Sequence, residues 1–324
     1  MDWTTLPRAH GGPLADGVIR AEPADFRVDE IASIEPTGSG EHLWLRIEKS
    51  DINTHDVAVD LARAFAVDLV DVSYAGMKDR RAIARQWFSV RTPRDAEREG
   101  SAAWRIVETR RHVRKLRRGE LAGNAFRIRV REVRGDIAGL PEFTARLADL
   151  GVPNYFGEQR FGRDGGNVER ARAWVCRRPR PAVSPLQKGL HLSTARALLF
   201  NAVLARRVAE STWRIPIDGD VELDGAPTGP LWGRGRPPTT GRAREAEAAA
   251  LDPHREWLDP LEHLGLTQER RALVARPRDV RIAIDGTDVE LAFSLSPGQY
   301  ATAVLRELGE FRAVRTESAA EAAA

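Results

Sequence analysis

Apolar and polar residues alternate near both ends of the chain, and this period of two constrains the fold more than any other feature. Within residues 42–48, Leu43, Leu45 and Ile47 point one way and the residues between them point the other. Residues 280–295 contain two such runs around an Asp-Gly pair, which is a strong signal for a β-hairpin. Because a half-buried strand has this period, the sequence predicts a sheet to which both ends of the chain contribute.

Helical patterns dominate the middle of the chain, over residues 150–275. Asn167 is predicted to cap one helix and Ser193 to cap a longer one. Residues 225–242 are so rich in glycine and proline that they are predicted to lack regular structure. Helix is predicted again over residues 243–274.

The fold class predicted from this order of elements is α+β. One domain, with a mixed or antiparallel sheet, is predicted to comprise residues 1–150 and 276–315. It is interrupted by an inserted, mostly helical α/β domain over residues 151–275, and residues 316–324 are predicted to be disordered. A chain of 324 residues is long enough for two domains of ordinary size.

Several functional classes are excluded by what the sequence lacks. Cys176 is the only cysteine, so no internal disulfide can form and a reducing, cytoplasmic environment is expected. No apolar run is long enough to span a membrane, and the seven histidines show no paired metal spacing. Neither a Walker loop nor a GxGxxG motif is present. The sequence therefore predicts no metal, nucleotide or redox cofactor.

Residues 74–90, YAGMKDRRAIARQWFSV, combine a glycine, a run of charge and a possible strand. In this stretch Asp79 lies among three cations, Lys78, Arg80 and Arg81. Cations nearby favour the charged form of a carboxylate, so Asp79 is expected to be ionised and able to act as a nucleophile. A solvated loop with internal ion pairs is the alternative, since surface ion pairs are common and weak.

Arginine supplies nearly all of the positive charge, with 46 Arg against 4 Lys and a net charge of +3. Residues 105–118 are densely basic, and a strand predicted over 126–133 places Arg127, Arg129 and Arg131 on one face. Such a face must meet solvent, a helix rich in acids, or a polyanion. A solvated surface and a phosphate-binding edge both fit the basic run, and a GC-rich genome would also enrich arginine.

Five segments resemble, in order, the signature motifs of the tRNA pseudouridine synthase D family. The segments are EPADFRVDE (22–30), YAGMKDRRAIARQWFSV (74–90), LAGNAFRIRVRE (121–132), VPNYFGEQRFG (152–162) and SPGQYATAVLREL (296–308). One motif would be weak evidence, whereas five in the family's order are specific. The resemblance implies a pseudouridine synthase catalytic domain, interrupted by an insertion peculiar to this family, that converts uridine 13 of tRNA to pseudouridine.

The resemblance also implies roles for individual residues. Asp79 matches the catalytic aspartate of the family. The residues implied to bind the substrate are Phe26, Asn124, Phe126, Tyr300 and Arg20. The three aromatic residues would border the uracil, the asparagine would hydrogen-bond the base or sugar, and the arginine would lie near the carboxylate. The segment 152–162 is as compatible with a role in the fold as with substrate contact.

A tRNA partner would need a further, cationic surface. A uridine in folded RNA must leave its stack to reach such a pocket, and a cleft between the two domains is predicted as the RNA site. The cations predicted to contact the RNA backbone are Arg80, Arg110, Arg111, Arg114 and Lys115. No heptad repeat or long apolar patch is present, so a monomer without a protein partner is expected.

Two other functions remain open at this point. The chain could be a structural RNA-binding or tRNA-folding protein whose catalytic activity is incidental. It could also be a glycoside or nucleoside hydrolase, although such an enzyme needs a second carboxylate about 5–10 Å from the first, and the matching motifs supply no obvious one.

Overall fold

The computed structural model describes residues 5–95, 100–162 and 165–314, which form two compact units. The sheet unit comprises residues 14–95, 100–145, 277–298 and 309–314, and the helical unit comprises 5–13, 146–162, 165–276 and 299–308. The predicted limits of the catalytic domain and of the inserted domain stay a prediction. The tail predicted to be disordered, 316–324, lies outside the described residues.

Strands and helices alternate irregularly along the chain. The strands are β1 Ala15–Ile19, β2 Phe26–Ala32, β3 His42–Lys49, β4 Val72–Tyr74, β5 Ile83–Arg91, β6 Gly100–Ser101, β7 Trp104–His112, β8 Leu121–Gly135, β9 Val152–Pro153, β10 Glu222–Leu223, β11 Ala226–Leu231, β12 Glu269–Ala272, β13 Val274–Ala275, β14 Arg278–Asp285, β15 Asp288–Leu295 and β16 Gly309–Ala313. The helices are α1 Thr54–Phe65, α2 Leu140–Leu150, α3 Glu158–Phe161, α4 Gly166–Val175, α5 Pro185–Ala209, α6 Gly241–Leu251, α7 Arg255–Glu262 and α8 Ala301–Leu308.

Within the described residues, eleven strands of the sheet unit form one mixed sheet. Its order is β14-β15-β8-β2-β5-β3-β7-β6, with β1 beside β8 and β16, and β4 beside β5. The pairs β2–β5 and β1–β16 are parallel, whereas the other pairs are antiparallel. The predicted α+β class with a mixed sheet is thereby confirmed.

Strands from the two ends of the chain are neighbours in this sheet. β15 pairs with β8 from Val289 opposite Val130 to Leu295 opposite Asn124, and β16 pairs with β1. The two runs predicted as a hairpin are β14 and β15. The prediction that both ends of the chain build one sheet is therefore confirmed.

Helix α1 packs against the centre of the sheet. Val57, Leu61 and Phe65 recur every four residues, which places them on one face of the helix. They join a buried cluster with Leu45 of β3 and Phe88 of β5. Full burial of one such side chain contributes about 1.5–3 kcal/mol. This cluster fixes β3 and β5, and the connection that enters β5 carries Asp79.

Both helix caps predicted in the helical unit are wrong, one by nine residues and the other by two. α5 begins after Ser184, whose hydroxyl accepts a hydrogen bond from the Gln187 N–H while the Gln187 side chain accepts one from the Ser184 N–H. This reciprocal pair is a capping box, and the proline that follows Ser184 suits a first helical position, which needs no N–H. Ser193 therefore lies inside α5, and Gly165 rather than Asn167 precedes α4.

Residues 225–242 contain the strand β11, so the prediction that they lack regular structure is wrong. β11 pairs antiparallel with β12. The helix predicted over 243–274 is correct for α6 and α7 and wrong at its end, where β12 and β13 form. Gly229 of β11 lies so close to α5 that a Cβ on it would meet the Phe200 ring at 3.0 Å. Composition favoured a loop here, whereas packing against α5 selects a strand.

The helical unit has its own core, centred on α5. Leu199, Phe200 and Leu204 of α5 are buried together with Trp213 and Trp257. Among the described residues, no helix combines the length and the apolar character needed to cross a membrane.

Replacing Ser184 with alanine is expected to lower the free energy of unfolding by about 1 kcal/mol, because the Gln187 N–H loses its acceptor. Ser184→Asp, which keeps a capping oxygen, should retain nearly all of the wild-type stability. Urea unfolding followed by circular dichroism measures both. Equal stability of the alanine and aspartate variants would contradict the role of the cap.

Candidate active site

Asp79 lies in the connection between β4 and β5. Its Oδ2 accepts a hydrogen bond from Arg20 Nη2 at 2.6 Å, and its side chain keeps 42% of its surface exposed. The carboxylate is therefore oriented by a cation and still accessible. Such a geometry suits a carboxylate that must reach a substrate.

Arg20 follows β1 directly, and its backbone adopts the left-handed conformation with a φ of 56°. Non-glycine residues rarely adopt this conformation. The Arg20 guanidinium lies over the ring of Phe26, with Cζ 4.2 Å from the ring centroid. One side chain thus contacts both the Asp79 carboxylate and an aromatic ring.

Three phenylalanines on adjacent strands extend this contact. The rings of Phe26 on β2 and Phe126 on β8 lie edge to face with their centroids 6.3 Å apart. The ring of Phe126 lies 5.5 Å from that of Phe293 on β15. Phe26 and Phe293 are buried, whereas Phe126 is only half-buried. The structure thus brings Asp79, Arg20, Phe26 and Phe126 into one chain of contacts, in which Phe126 keeps an exposed surface.

Asn124 lies inside β8, opposite Glu30 of β2 and Leu295 of β15. The strand was predicted to begin at residue 126, but it begins at Leu121. Because Asn124 is two residues from Phe126 in the same strand, the two side chains share one face of the sheet. The Asn124 Oδ1 is buried and has no hydrogen-bond partner among the described residues, so it is an available acceptor.

Tyr300 belongs to the helical unit, where it precedes α8 directly. Its hydroxyl lies 3.3 Å from Arg160 Nη2, and its ring lies 5.8 Å from that of Phe156. Within its own unit Tyr300 is therefore anchored by a cation and an aromatic ring. Its place beside the uracil stays a prediction.

Buried charged residues that the sequence reasoning missed hold the main chain at Asp79. Lys78 Nζ lies 2.6 Å from Glu30 Oε2, with side chains that are 6% and 2% exposed. The Lys78 N–H donates to Thr54 Oγ1 at 3.0 Å. Lys49 is 1% exposed, and its Nζ donates to the main-chain oxygen of Asp79 at 2.7 Å. These contacts fix the segment at two successive residues.

The strand patterns contained a signal for the burial of Lys49 and Glu30. Lys49 follows Ile47 at the two-residue spacing that marks the buried face of β3, and Glu30 follows Val28 in the same way on β2. A charged residue in a buried register is costly unless it is satisfied by hydrogen bonds or an opposite charge. Its presence there therefore indicates a specific partner inside the protein.

Burial lowers the pKa of Lys49 from its ordinary value of 10.5 to about 8. The Asp79 carboxylate opposes this change, and the positive charge of Lys78 adds to it. Lys49 and Asp79 are therefore coupled by charge as well as by the hydrogen bond to the main chain.

Three of the cations predicted to contact RNA are held by the protein itself. Arg111 donates to the Asp95 carboxylate and to the three carbonyls that precede it. Arg114 binds the Glu120 carboxylate through both of its terminal nitrogens, at 2.9 and 2.6 Å. Lys115 donates to a main-chain carbonyl. These side chains have structural contacts that an RNA phosphate would have to share.

Arg80 and Arg110 are the more accessible members of the set. The Arg80 Nε donates to the main-chain oxygen of Asp51 at 3.1 Å, and the side chain is exposed. Arg110 is 56% exposed and lies 3.1 Å from a Glu108 oxygen. Both keep N–H groups that face solvent, which suits contacts to phosphate.

The arginine face of β8 meets acidic groups of the sheet unit. The pairs are Arg127 with Glu290 at 3.7 Å, Arg129 with Asp288 at 2.8 Å, and Arg131 with Asp25 at 2.8 Å. These acids lie on β15 and on the turn before β2 rather than on a helix, and Arg127 and Arg129 also keep 64% and 43% of their side-chain surface exposed.

The groups around Asp79 favour a planar molecule with polar edges. Phe126 offers part of a ring, Asn124 offers an acceptor, and Arg20 and Asp79 offer charges of both signs. In the parts of the chain that the structure describes, no group of three or more His, Cys, Asp and Glu residues could hold a metal ion. The expectation that no cofactor is needed stays a prediction.

Comparison with known proteins adds a consistent set of relatives. The model of the family described as tRNA pseudouridine synthase D matches residues 9–177 and 222–308. The tRNA pseudouridine synthase D of Methylococcus capsulatus is 43% identical over 339 residues, which covers 94% of each chain. That of Chromohalobacter salexigens is 43% identical, with 93% of this chain and 95% of the relative covered.

The fold also resembles a solved structure. The crystal structure of the putative tRNA pseudouridine synthase D from Methanosarcina mazei matches with a TM-score of 0.69 and covers 95% of both chains. Its sequence is 21% identical to this chain. At this identity the match shows that the fold is shared.

Lys49 is expected to make stability depend on pH. Because its pKa is lowered to about 8 in the folded state, the native protein binds fewer protons than the unfolded chain between about pH 8 and 10.5. The contribution of Lys49 to the free energy of unfolding should therefore increase as the pH rises across that window. Lys49→Met should remove this contribution.

Urea unfolding at about pH 7.5 and about pH 9.5 measures the effect as a difference between the two conditions. The increase in the free energy of unfolding from the lower to the higher pH should be larger in the wild type than in Lys49→Met. Lys188→Met, at an exposed lysine, serves as the control and should keep the wild-type difference. An unchanged difference in Lys49→Met would contradict the assignment.

Proposed function

The chain belongs to the tRNA pseudouridine synthase D family, which makes pseudouridine 13 in tRNA, and we propose that Asp79 is the catalytic carboxylate of this reaction. The chain is a tRNA pseudouridine synthase and therefore an isomerase. One observation carries the assignment of Asp79. Its accessible carboxylate is oriented by Arg20, whose guanidinium also lies over the aromatic ring of Phe26.

The reaction breaks the N1–C1′ bond of uridine, turns the freed uracil and joins C5 to C1′. A proton leaves C5 and N1 gains one, so no electrons are transferred and no group is imported. A carboxylate suits this chemistry because it can attack an anomeric carbon and leave again. Attack on C1′, addition to C6 and removal of the C2′ proton would each use the same carboxylate.

Phe126 and Asn124 are proposed to receive the uracil. The exposed part of the Phe126 ring can stack on the base, which contributes about 1–3 kcal/mol. The unpartnered Oδ1 of Asn124, on the same face of the sheet, can accept a hydrogen bond from the N3–H of uracil. Phe26 is buried behind Phe126 and supports both its ring and the Arg20 guanidinium. These gains offset the few kcal/mol that extrusion of the uridine costs.

The sheet unit is proposed to carry the chemistry, with a catalytic domain over residues 1–150 and 276–315 and an inserted domain over 151–275. Tyr300 is proposed to border the uracil as well, held by its contact with Arg160. The proposed working form is a monomer in the cytoplasm without a cofactor or protein partner, in keeping with the single cysteine.

The RNA backbone is proposed to contact Arg80, Arg110, Arg111, Arg114 and Lys115. Arg80 directly follows Asp79 in sequence, so a phosphate bound there would belong to a nucleotide near the reacting one. The side chains of Arg80 and Arg110 are both exposed. Arg80 donates to a neutral carbonyl, whereas Arg110 would have to share its guanidinium between a phosphate and Glu108. The other three would bind phosphate in addition to the contacts they already make.

Asp79→Asn is expected to abolish pseudouridine formation, because an amide is neither a comparable nucleophile nor a comparable base. The assay is incubation with unmodified tRNA followed by mass spectrometry of the nucleosides. Asp68→Asn is the matched control, since Asp68 is exposed at the start of a short helical turn and its side chain makes no capping hydrogen bond there.

Each outcome of this assay decides between functions. Full product with Asp79→Asn would refute the catalytic role of Asp79. If the wild type and Asp79→Asn bind tRNA equally well and neither forms product, the result would favour an RNA-binding protein. Free uracil among the products would favour a hydrolase.

Neutralising Arg80 or Arg110 to glutamine is expected to weaken tRNA binding. The salt slope of the binding constant should fall by about one for each cation that no longer meets a phosphate. Arg63→Gln is the control, because Arg63 is 78% exposed on α1 and outside the proposed set. Filter binding at a series of salt concentrations gives the slopes. Wild-type slopes for both variants would exclude this surface.

A further inference from the structure

Lys49 is a buried cation whose place in the fold is costly. It is 1% exposed and lies on the face of β3 that Leu45 and Ile47 bury in the core. Removing an ammonium group from water carries a large penalty, and an apolar side chain of similar volume would avoid it. Stability alone therefore does not account for a lysine at this position.

The hydrogen bonds of Lys49 connect it to the segment that carries the proposed catalytic residue. Its Nζ donates to the main-chain oxygens of Ile52 at 2.9 Å and of Asp79 at 2.7 Å. Both acceptors are neutral carbonyls, so neither contact is an ion pair. The lysine therefore joins the turn after β3 to the Asp79 segment.

Lys78 provides a comparison within the same segment. Its Nζ is paired with the Glu30 carboxylate, and its N–H donates to Thr54. The charge of Lys78 is thus neutralised at short range. For Lys49 the carboxylate that acts on its charge is that of Asp79 itself, and Lys78 is the cation that acts against it.

We propose that Lys49 is a positioning residue for pseudouridine formation, which holds the Asp79 main chain so that the carboxylate meets Arg20 and the substrate at once. This inference rests on the proposed catalytic role of Asp79. Lys49 acts through the carbonyl of Asp79 and through its buried charge, and it does not touch the substrate.

The expected consequence is a loss of rate rather than a loss of binding. A carboxylate displaced by about 1 Å can lose roughly 100-fold in rate. The tRNA contacts proposed above lie on other side chains, so affinity should be maintained. A merely structural role would instead lower stability and leave the rate of the folded fraction unchanged.

The first test is Lys49→Met under single-turnover conditions, with enzyme in excess over unmodified tRNA. The rate of pseudouridine formation per folded molecule should fall by about 10- to 100-fold, and the tRNA dissociation constant should stay within about twofold of the wild type. A rate within about twofold of the wild type would overturn the proposal, as would a loss of rate that only follows a loss of binding.

A second variant covers the case in which Lys49→Met does not fold. Lys49→Ala leaves space for propylammonium, which supplies the missing methylenes and the charged donor. Added propylammonium should raise the single-turnover rate of Lys49→Ala, whereas n-propanol at the same concentration should not. No rescue, or equal rescue by the alcohol, would overturn the proposal.

Asp79→Asn, assayed in parallel, separates the two hypotheses. If Asp79→Asn retains activity, the proposed catalytic assignment fails, whatever Lys49 does. If Asp79→Asn is inactive and Lys49→Met is fully active, only the positioning role fails. Propylammonium should not restore Asp79→Asn, because that variant lacks the carboxylate.

Discussion

The arrangement around Asp79 depends on the buried ion pair between Lys78 and Glu30. One Glu30 oxygen accepts from Lys78 Nζ, and the other accepts from the Trp87 N–H at 3.2 Å. A single carboxylate thereby ties β2 to β5 and to the segment before β5. Removing one partner of such a buried pair costs about 3–5 kcal/mol, because the remaining charge is left uncompensated. The pair is therefore a fixed point from which the position of Asp79 follows.

The charged side chains at this site have different roles according to how deeply they are buried. The buried groups, Glu30, Lys78 and Lys49, hold the main chain, whereas Arg20 and Asp79 form a more accessible pair that is proposed to meet the substrate. Burial protects the hydrogen bonds that hold a backbone, since water would compete for them. A reacting carboxylate instead needs space, so its precision must come from the backbone beneath it. Precise placement and accessibility are thus supplied by different residues.

The sequence predicted the parts of the fold that depend on local periodicity. β3 and the hairpin of β14 and β15 follow from alternation alone, and five motifs located the stretch around Asp79. β11 could not be predicted, because Gly229 adopts strand structure through its packing against α5. Glu30 and Lys49 were missed for a different reason. Their buried register was visible in the alternation, but their partners are distant in sequence and only the fold brings them together.

The arginines show why a charge count alone says little about RNA binding. A polyanion was one of three environments that the sequence left open for Arg127, Arg129 and Arg131. One strand distant in sequence, β15, places acids against two of them, and a short turn supplies the third. A guanidinium paired in this way must exchange one anion for another on binding phosphate, so it gains little. Arg80 has only a neutral carbonyl among its hydrogen-bond partners in the described residues and directly follows Asp79. Among the cations proposed to contact RNA, Arg80 is therefore the one whose own contacts would compete least with a phosphate, and it lies next to the proposed catalytic residue.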